Sequence, residues 1–278
     1  MDLKFIVNDY VLIWNLLFQA SISEPIYKLK QKLWDNYKIE YNNTYKDKNQ
    51  ILKDIKNFIP NDDTIYNIVL ENKEYDKLVK KAEKYRLEVM KNWDSNKKKN
   101  KELLKKIIKK DIKPYSILIV NEELNIIDSS GPKNDELGVI TLGKKIDKKE
   151  PLKIVLDIIL EIIKKEIPEK KTKNDIRDAI IELAVLNELP TNLEGKSCYL
   201  SGNPSLSYLK RQLYPYWLMY LGVPKDEFLS YMMRDKIAFE KDSIAYEKEL
   251  KKMDLEEFID FCHRNRKYIV KPEPIEII

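Results

Sequence analysis

The sequence predicts an α+β fold that is mostly helical and contains a small mixed sheet. Glycine is confined to one part of the chain, because all six glycines lie between Gly131 and Gly222 and the first 130 residues contain none. The glycine-free part is rich in Lys, Glu, Leu and Ile, which favour helices joined by short polar turns. After Pro114 the spacing of apolar residues changes, and two short β-branched segments follow before helical patterns return.

The composition is that of a chain able to build a packed core, with 278 residues of which 43% are hydrophobic. Lys and Arg total 51 against 46 Asp and Glu. Nearly all of the basic residues are Lys, so the guanidinium forks that read bases and phosphates are scarce and we expect no nucleic-acid partner. Cys198 and Cys262 stand far apart with no second ligand nearby, which favours reduced thiols over a disulfide or a zinc module.

The apolar N-terminal stretch 5–20 is predicted to be a helix. Asn8, Asp9 and Asn15 interrupt it, and no basic leader or small-residue cleavage site accompanies it, so we do not interpret it as a signal peptide. No uninterrupted apolar run reaches the length of about 18 residues that a membrane span needs. The expected location is the cytoplasm, with no membrane partner.

The first 110 residues are predicted to form a helical N-terminal region packed on a core domain at 111–278. The predicted helices end with a lysine-rich segment, 95–110, in which Leu103, Leu104, Ile107 and Ile108 recur at helical spacing. We interpret this segment as the solvated face of a connecting helix, and the alternative is a surface for an anionic partner. The predicted helices of this region are 9–20, 24–38, 48–57, 63–70, 73–92 and 99–110.

Residues 115–144 are predicted to hold the strands. The segment 115–128 alternates β-branched and apolar residues around a polar Asn-Glu-Glu turn, which indicates a strand or a hairpin. The segment 138–144, bounded by glycines, is predicted to be a short strand. A helix then opens at Pro151, a common first-turn residue, and extends to about Ile167.

The remainder of the chain is predicted to be helical. A second helix starts near Asn174 and is expected to end before Pro190, and Pro215 is expected to kink or interrupt the aromatic segment that precedes Gly222. Further helices are predicted after Pro224 and over 242–252. A last helix is expected to open at Asp254, which with Glu257 has the spacing of a capping box.

The opening helix, KIVLDIILEII at 153–163, carries an unusually narrow polar stripe. Lys153, Asp157 and Glu161 fall on one line of a helical surface, and every other face is apolar. Protein therefore surrounds this helix on nearly all sides. The stripe is either a ladder of ion pairs facing solvent through a slot or the floor of a cleft, where carboxylates one turn apart could share a hard cation.

The order of these elements resembles the core of zincin metallopeptidases of the gluzincin type. In that family the opening helix carries His-Glu-x-x-His, whose histidines bind zinc and whose Glu is the general base, and a Glu on the next helix is the third ligand. On this chain the resemblance assigns the two ligand positions to Asp157 and Glu161, the base position to Ile158 and the third ligand to Glu182. Glu188 is the second candidate for the third ligand.

The resemblance also implies a substrate cleft. The strand 138–143 would be the edge strand that holds an extended substrate, Lys153 and Ile158 would line the cleft, and Tyr199, Tyr214 or Tyr216 could lie across it. A structural role in the core remains the other interpretation of the aromatic run 208–220.

The functional hypothesis depends on the residues of the zincin pattern that this chain lacks. His263 is the single histidine, so a two-histidine zinc site cannot form and we expect no zinc. The three carboxylates would favour Ca²⁺, Mg²⁺ or Mn²⁺, or no metal at all if Lys153 or another cation compensates them. The sequence thus predicts a catalytically inactive zincin-like homologue that binds a protein or peptide. The alternatives are an active hydrolase with a carboxylate-ligated metal and a basic helical protein that binds an anionic partner.

Overall fold

The computed structural model describes residues 1–9, 11–12, 15, 73–128, 138–169, 174–195, 201–224 and 247–270. The chain forms two compact units. The first consists of 1–97 and 113–165, and the second of 98–112 and 166–278. The described residues are mostly helical with one mixed four-stranded sheet, which confirms the predicted α+β class.

The sheet lies in the first unit and has the order β1-β2-β4-β3. The strands are β1 (Leu3–Val7), β2 (Tyr115–Ile119), β3 (Ile126–Asp128) and β4 (Val139–Gly143). β1, β2 and β4 are parallel, with Phe5 opposite Ile117 and Ile117 opposite Ile140. β3 pairs with β4 in the antiparallel sense. β2 and β4 each pair with a strand on both edges, and all of their residues except Ser116 are buried.

The strand predicted at 138–144 is confirmed as β4, and of the two alternatives for 115–128, a strand or a hairpin, the structure has strands, whereas the helix predicted at 5–7 and the edge position of 138–143 are wrong. Residues 5–7 belong to β1 and not to a helix, because their parallel partner lies more than a hundred residues away and no local pattern reveals it. β2 and β3 do not form a hairpin, since β4 lies between them and a short 3₁₀ turn, Glu122–Leu124, joins them. The strand 138–143 is therefore interior, and the described edge strand beside it is β3.

A single helix, α1 (Lys73–Ile108), replaces the two helices that were predicted over 73–92 and 99–110. The polar residues between them contain neither Gly nor Pro, so nothing breaks the backbone hydrogen bonds there. Its buried residues recur at helical spacing and include Ala82, Tyr85 and Trp93 in the first unit and Leu104 and Ile107 in the second. The predicted helices over 24–38, 48–57 and 63–70 lie outside the described residues, and the division at 110/111 stays a prediction.

The opening helix, α2 (Leu152–Glu166), has the predicted burial. Seven of its residues form a buried surface that covers most of its circumference: Ile154, Val155, Leu156, Ile158, Ile159, Ile162 and Ile163. The polar stripe is the exception, because Lys153 is exposed and Asp157 and Glu161 are partly buried. The prediction that protein surrounds this helix on nearly all sides is confirmed.

In the second unit, the second predicted helix continues past Pro190. It consists of α3 (Asp175–Glu182), a π-helical segment (Leu183–Glu188) and α4 (Leu189–Glu194). In a regular α-helix the ring of Pro190 would meet the carbonyl of Leu186, and the wider π turns come directly before the proline. The predicted end before Pro190 is therefore wrong.

The C-terminal helices are α5 (Ser207–Leu221), α6 (Leu255–Arg264) and α7 (Arg266–Ile269). α5 is continuous through Pro215, so the predicted interruption does not occur. The predicted capping box is confirmed, because Asp254 accepts a hydrogen bond from the Glu257 backbone N–H and the Glu257 side chain accepts one from the Asp254 N–H. The predicted helix after Pro224 lies outside the described residues.

Candidate functional site

The polar stripe of α2 is the centre of the candidate site, and its first carboxylate is paired with a lysine. Lys144 Nζ lies 2.6 Å from Asp157 Oδ2. The Asp157 side chain is 16% exposed and the Lys144 side chain is 34% exposed. A charge-assisted hydrogen bond of this length at a largely buried carboxylate neutralises it locally.

The second carboxylate is paired with a lysine of its own helix. Lys164 Nζ lies 2.9 Å from Glu161 Oε1, with the same exposures as the first pair. Lys153 or another cation was expected to compensate the carboxylates, and Lys153 itself is exposed and lies 3.8 Å from Glu150. Two lysines outside the stripe, 144 and 164, thus compensate its two carboxylates.

Tyr85 fixes the backbone that carries Lys144. Its hydroxyl donates to the Lys144 carbonyl at 2.6 Å and accepts from the Lys144 N–H at 3.1 Å. Burial is the main cause that raises the pKa of the Tyr85 phenol far above its usual value, so the hydroxyl keeps its proton for this hydrogen bond. α1, the residue after β4 and α2 are therefore joined through Tyr85, Lys144 and Asp157.

The general-base position of the resemblance is part of the hydrophobic core. Ile158 has no exposed surface and lies on the apolar face of α2, away from the polar stripe. An aliphatic side chain can neither accept a proton nor orient a water molecule. Position 158 therefore has no acid-base chemistry.

Glu182, the third predicted ligand, is the last residue of α3. It belongs to the second unit, whereas Asp157 and Glu161 belong to the first. Its carboxylate forms an ion pair with Lys210 of α5, which has no exposed surface. The Asn203 backbone N–H also donates to Glu182 Oε2 at 3.0 Å. Glu188, the second candidate, accepts a hydrogen bond from the Asn192 side chain at 2.7 Å.

The described residues contain no group of three or more His, Cys, Asp or Glu side chains that could hold a metal ion. The carboxylates at 157, 161 and 182 each have a lysine as their cation. A site for Ca²⁺, Mg²⁺ or Mn²⁺ stays a prediction. His263 lies in the last turn of α6 and is partly buried, and Cys262 beside it is a free thiol whose pKa is raised by burial.

The aromatic run of α5 is mainly core. Trp217 and Tyr220 are fully buried and stack at a centroid distance of 5.2 Å, and Phe258 of α6 stacks on Tyr220 at 4.7 Å. Tyr214 and Tyr216 are partly buried on the same helix, whereas Tyr199 lies outside the described residues. The predicted cleft roles of these three tyrosines stay predictions.

The lysine-rich segment is the C-terminal part of α1 and the residues after it. Leu104, Ile107 and Ile108 are buried, as their spacing predicts. Several of the exposed lysines have acidic or carbonyl partners, including Lys105 with Asp111 at 3.2 Å and Lys110 with Glu256 at 3.4 Å. An anionic partner for this surface stays a prediction.

The sequence analysis missed Lys144 and Lys210. Lys144 gives no local signal, because it follows β4 and is thirteen residues from Asp157 in the sequence. Lys210 does give a local signal, since Leu206, Lys210, Leu213 and Trp217 stand at positions i, i+4, i+7 and i+11, the spacing of a buried helical face. A lysine on such a face indicates a buried ammonium that needs a partner.

No family model, curated protein or solved structure matches this chain. Within the ranges that the structure describes, no helix has the length and apolar character needed to cross a membrane. The assignments of a function to the candidate site therefore depend on the geometry alone.

Proposed function

We propose that this protein is a catalytically inactive zincin-like homologue that binds an extended segment of a protein or peptide. The pairing of Asp157 with Lys144 carries the proposal. In the resemblance, position 157 holds a metal ligand, and here its carboxylate already has a cation at 2.6 Å. A divalent ion at this carboxylate would have to displace the Lys144 ammonium, whose backbone is fixed by two hydrogen bonds to Tyr85.

The base position supports the same proposal. A metallopeptidase needs a group that takes a proton from the attacking water, and its loss typically costs on the order of 10² to 10⁴ in rate. Ile158 occupies that position with its side chain in the core. Binding without turnover is the activity that this arrangement supports best.

β3 is the candidate for peptide binding. It pairs with β4 on one side, and no other strand in the described part of the sheet pairs with its second side. An edge strand offers alternate backbone N–H and C=O groups to an extended peptide, which can add to the sheet as a further strand. The role that the resemblance gives to 138–143 thus passes to Ile126–Asp128.

Elemental analysis of untagged protein, purified without chelators, tests the inactive part of the proposal. We expect less than stoichiometric metal in the wild type and no difference in the Asp157→Ala variant. The wild type should also not cleave an unfolded protein such as casein when Zn²⁺, Ca²⁺, Mg²⁺ or Mn²⁺ is added. Stoichiometric metal that disappears in Asp157→Ala, together with cleavage, would instead establish the active hydrolase.

Backbone-methylated peptides test the binding part. Peptides selected from a random library for binding would be resynthesised with N-methyl groups on every second residue, in both possible registers. Because a peptide added to a sheet edge uses only alternate N–H groups, one register should abolish binding and the other should retain it. Equal loss in both registers, or equal retention, would contradict strand addition at β3.

A further inference from the structure

The environment of Glu182 is a second polar site, and it lies entirely within the second unit. The Glu182 side chain is 12% exposed and the Lys210 side chain is fully buried. The carboxylate receives the Lys210 ammonium and the Asn203 backbone N–H, whose nitrogen lies 3.0 Å from Oε2 and 3.3 Å from Oε1. Both of these partners are donors, and a donor-only site selects an anion.

The loop 201–205, which supplies the Asn203 N–H, is held by further hydrogen bonds. Lys210 Nζ also donates to the Ser201 carbonyl at 2.6 Å, which holds the ammonium against the loop. Asn203 Oδ1 accepts from the Ser205 N–H at 3.0 Å and so caps the short 3₁₀ helix Pro204–Leu206. These contacts join the loop and the Lys210 ammonium without involving Glu182.

Gly202 lets the loop approach the carboxylate closely. Its φ of +106° is a conformation that other residues rarely adopt, and a Cβ at this position would overlap the Glu182 carboxylate. Ser201, Gly202 and Asn203 are exposed, so solvent reaches the loop from outside. Two donors, the Asn203 backbone N–H and the Lys210 ammonium, thus converge on one carboxylate beside an exposed loop.

We infer that Lys210 and the loop 201–205 form a carboxylate-binding site, which in the intact chain is filled by the Glu182 side chain and which accepts a small free monocarboxylate when that side chain is shortened. The inference is independent of the proposed function. It assigns Glu182 the role of an internal ligand that joins α3 to the loop. Because the internal carboxylate is always present at high effective concentration, free carboxylates do not compete with it in the wild type.

Chemical rescue of Glu182→Ala tests this inference. The substitution removes Cγ and the carboxyl group, which together are the heavy atoms of acetate. We expect the variant to have a lower Tm than the wild type and to recover part of the loss as sodium acetate is added, with a dissociation constant on the order of millimolar. Acetamide has the same shape without the charge and should give no recovery.

Glu188→Ala is the matched control, because it is the same truncation six residues further along the same run of helix. Acetate should raise the Tm of this variant and of the wild type only by the general salt effect that sodium chloride also produces. The double variant Glu182→Ala/Lys210→Met should lose the acetate response, since the ammonium is gone. An equal response to acetate in Glu182→Ala and Glu188→Ala, or an equal response to acetamide, would overturn the inference.

Glu182→Ala could fail to fold without added carboxylate, because it leaves the Lys210 ammonium buried without its ion-pair partner. The readout is then the yield of soluble protein on refolding with acetate, acetamide or chloride. A yield that increases only with acetate supports the site. A yield that does not depend on the additive, with Glu182→Gln folding at the wild-type Tm, overturns it.

Discussion

At the scale of single residues, the main feature of this protein is the pairing of lysine side chains with carboxylates and backbone carbonyls. Lys144 and Lys210 pair with Asp157 and Glu182, and Lys109 donates to the carbonyls of Tyr220 and Lys251 at 2.8 and 3.0 Å. A buried carboxylate or a row of terminal helix carbonyls is costly without a cation, and in each case a lysine of the chain supplies it. Asp157 and Glu182, which the sequence analysis identified, thus have lysine partners that it did not identify.

Lys109 makes the stability depend on pH. Burial, with a smaller contribution from Lys251, lowers its pKa to about 8 from 10.5, and these effects outweigh the two carbonyls and the Tyr220 ring that favour the ammonium. Since the folded state releases this proton more readily than the unfolded state, the contribution of Lys109 to the free energy of unfolding should increase as the pH rises from about 8 towards 10. Lys109→Gln should remove this increase.

Urea unfolding at intervals between pH 7 and 9.5 measures the effect. The raised pKa values of Tyr85 and Tyr220 lower the stability only above their ordinary value of about 10, but the raised pKa of the Cys262 thiol lowers it above about pH 8.5 in both proteins, so the difference between the wild-type and Lys109→Gln curves measures the effect of Lys109. Lys98→Gln, at an exposed position of α1, removes the same charge and serves as the control. Parallel pH curves for the wild type and Lys109→Gln would contradict the prediction.

The burial of Ile158 yields a second prediction at this scale. Ile158→Glu should cost about 3 to 5 kcal/mol because it places an unpaired carboxyl in the core. Burial would raise the pKa of the introduced carboxyl, so the loss should be greater at pH 7 than at pH 4. Ile158→Leu should cost less than about 1.5 kcal/mol. A variant as stable as Ile158→Leu at pH 7 would show that position 158 can reach solvent.

At the scale of elements, local signals predicted helix caps and helical faces but not long-range pairing. The capping box of α6 and the buried face of α2 each depend on residues within two turns, and both are confirmed. β1 depends on a partner strand more than a hundred residues away, which a local pattern cannot show. The two helices predicted within α1 form one helix, because the residues between them include no helix breaker. The polar stripe of α2 could also be predicted from the sequence, because Asp157 and Glu161 are only one helical turn apart.

Substitutions at Gly202 and Gly195 test the close contact between the loop 201–205 and the Glu182 carboxylate. Both have positive φ, +106° and +71°, but a Cβ at Gly195 would meet no atom within 4 Å, whereas one at Gly202 would overlap the Glu182 carboxylate. Gly195→Ala should therefore cost only about 1 kcal/mol of backbone strain. Gly202→Ala should cost about 3 kcal/mol or more, because strain adds to the displacement of the ion pair. Urea unfolding compares the two variants, and equal costs would contradict the described contact.

At the scale of the whole molecule, α1 is the element that belongs to both compact units. Its residues up to Lys97 are in the first unit and those from Lys98 are in the second. The predicted helical region over 1–110 did not reveal this division, because the helical spacing of apolar residues continues across residue 97 without Gly or Pro. Contacts between residues distant in sequence determine the division, and no pattern within one segment encodes them.

The continuity of α1 predicts that the two units lose stability together. Ser95→Pro in the exposed middle of the helix should cost about 3 kcal/mol, since proline removes a backbone hydrogen bond and clashes with the preceding turn. Hydrogen exchange would then become about a hundredfold faster for the most protected amides, in β2 of the first unit and in α5 of the second alike. Ser95→Ala should leave both rates nearly unchanged. Faster exchange in β2 alone would mean that the units unfold independently, and the shared helix would not couple their stabilities.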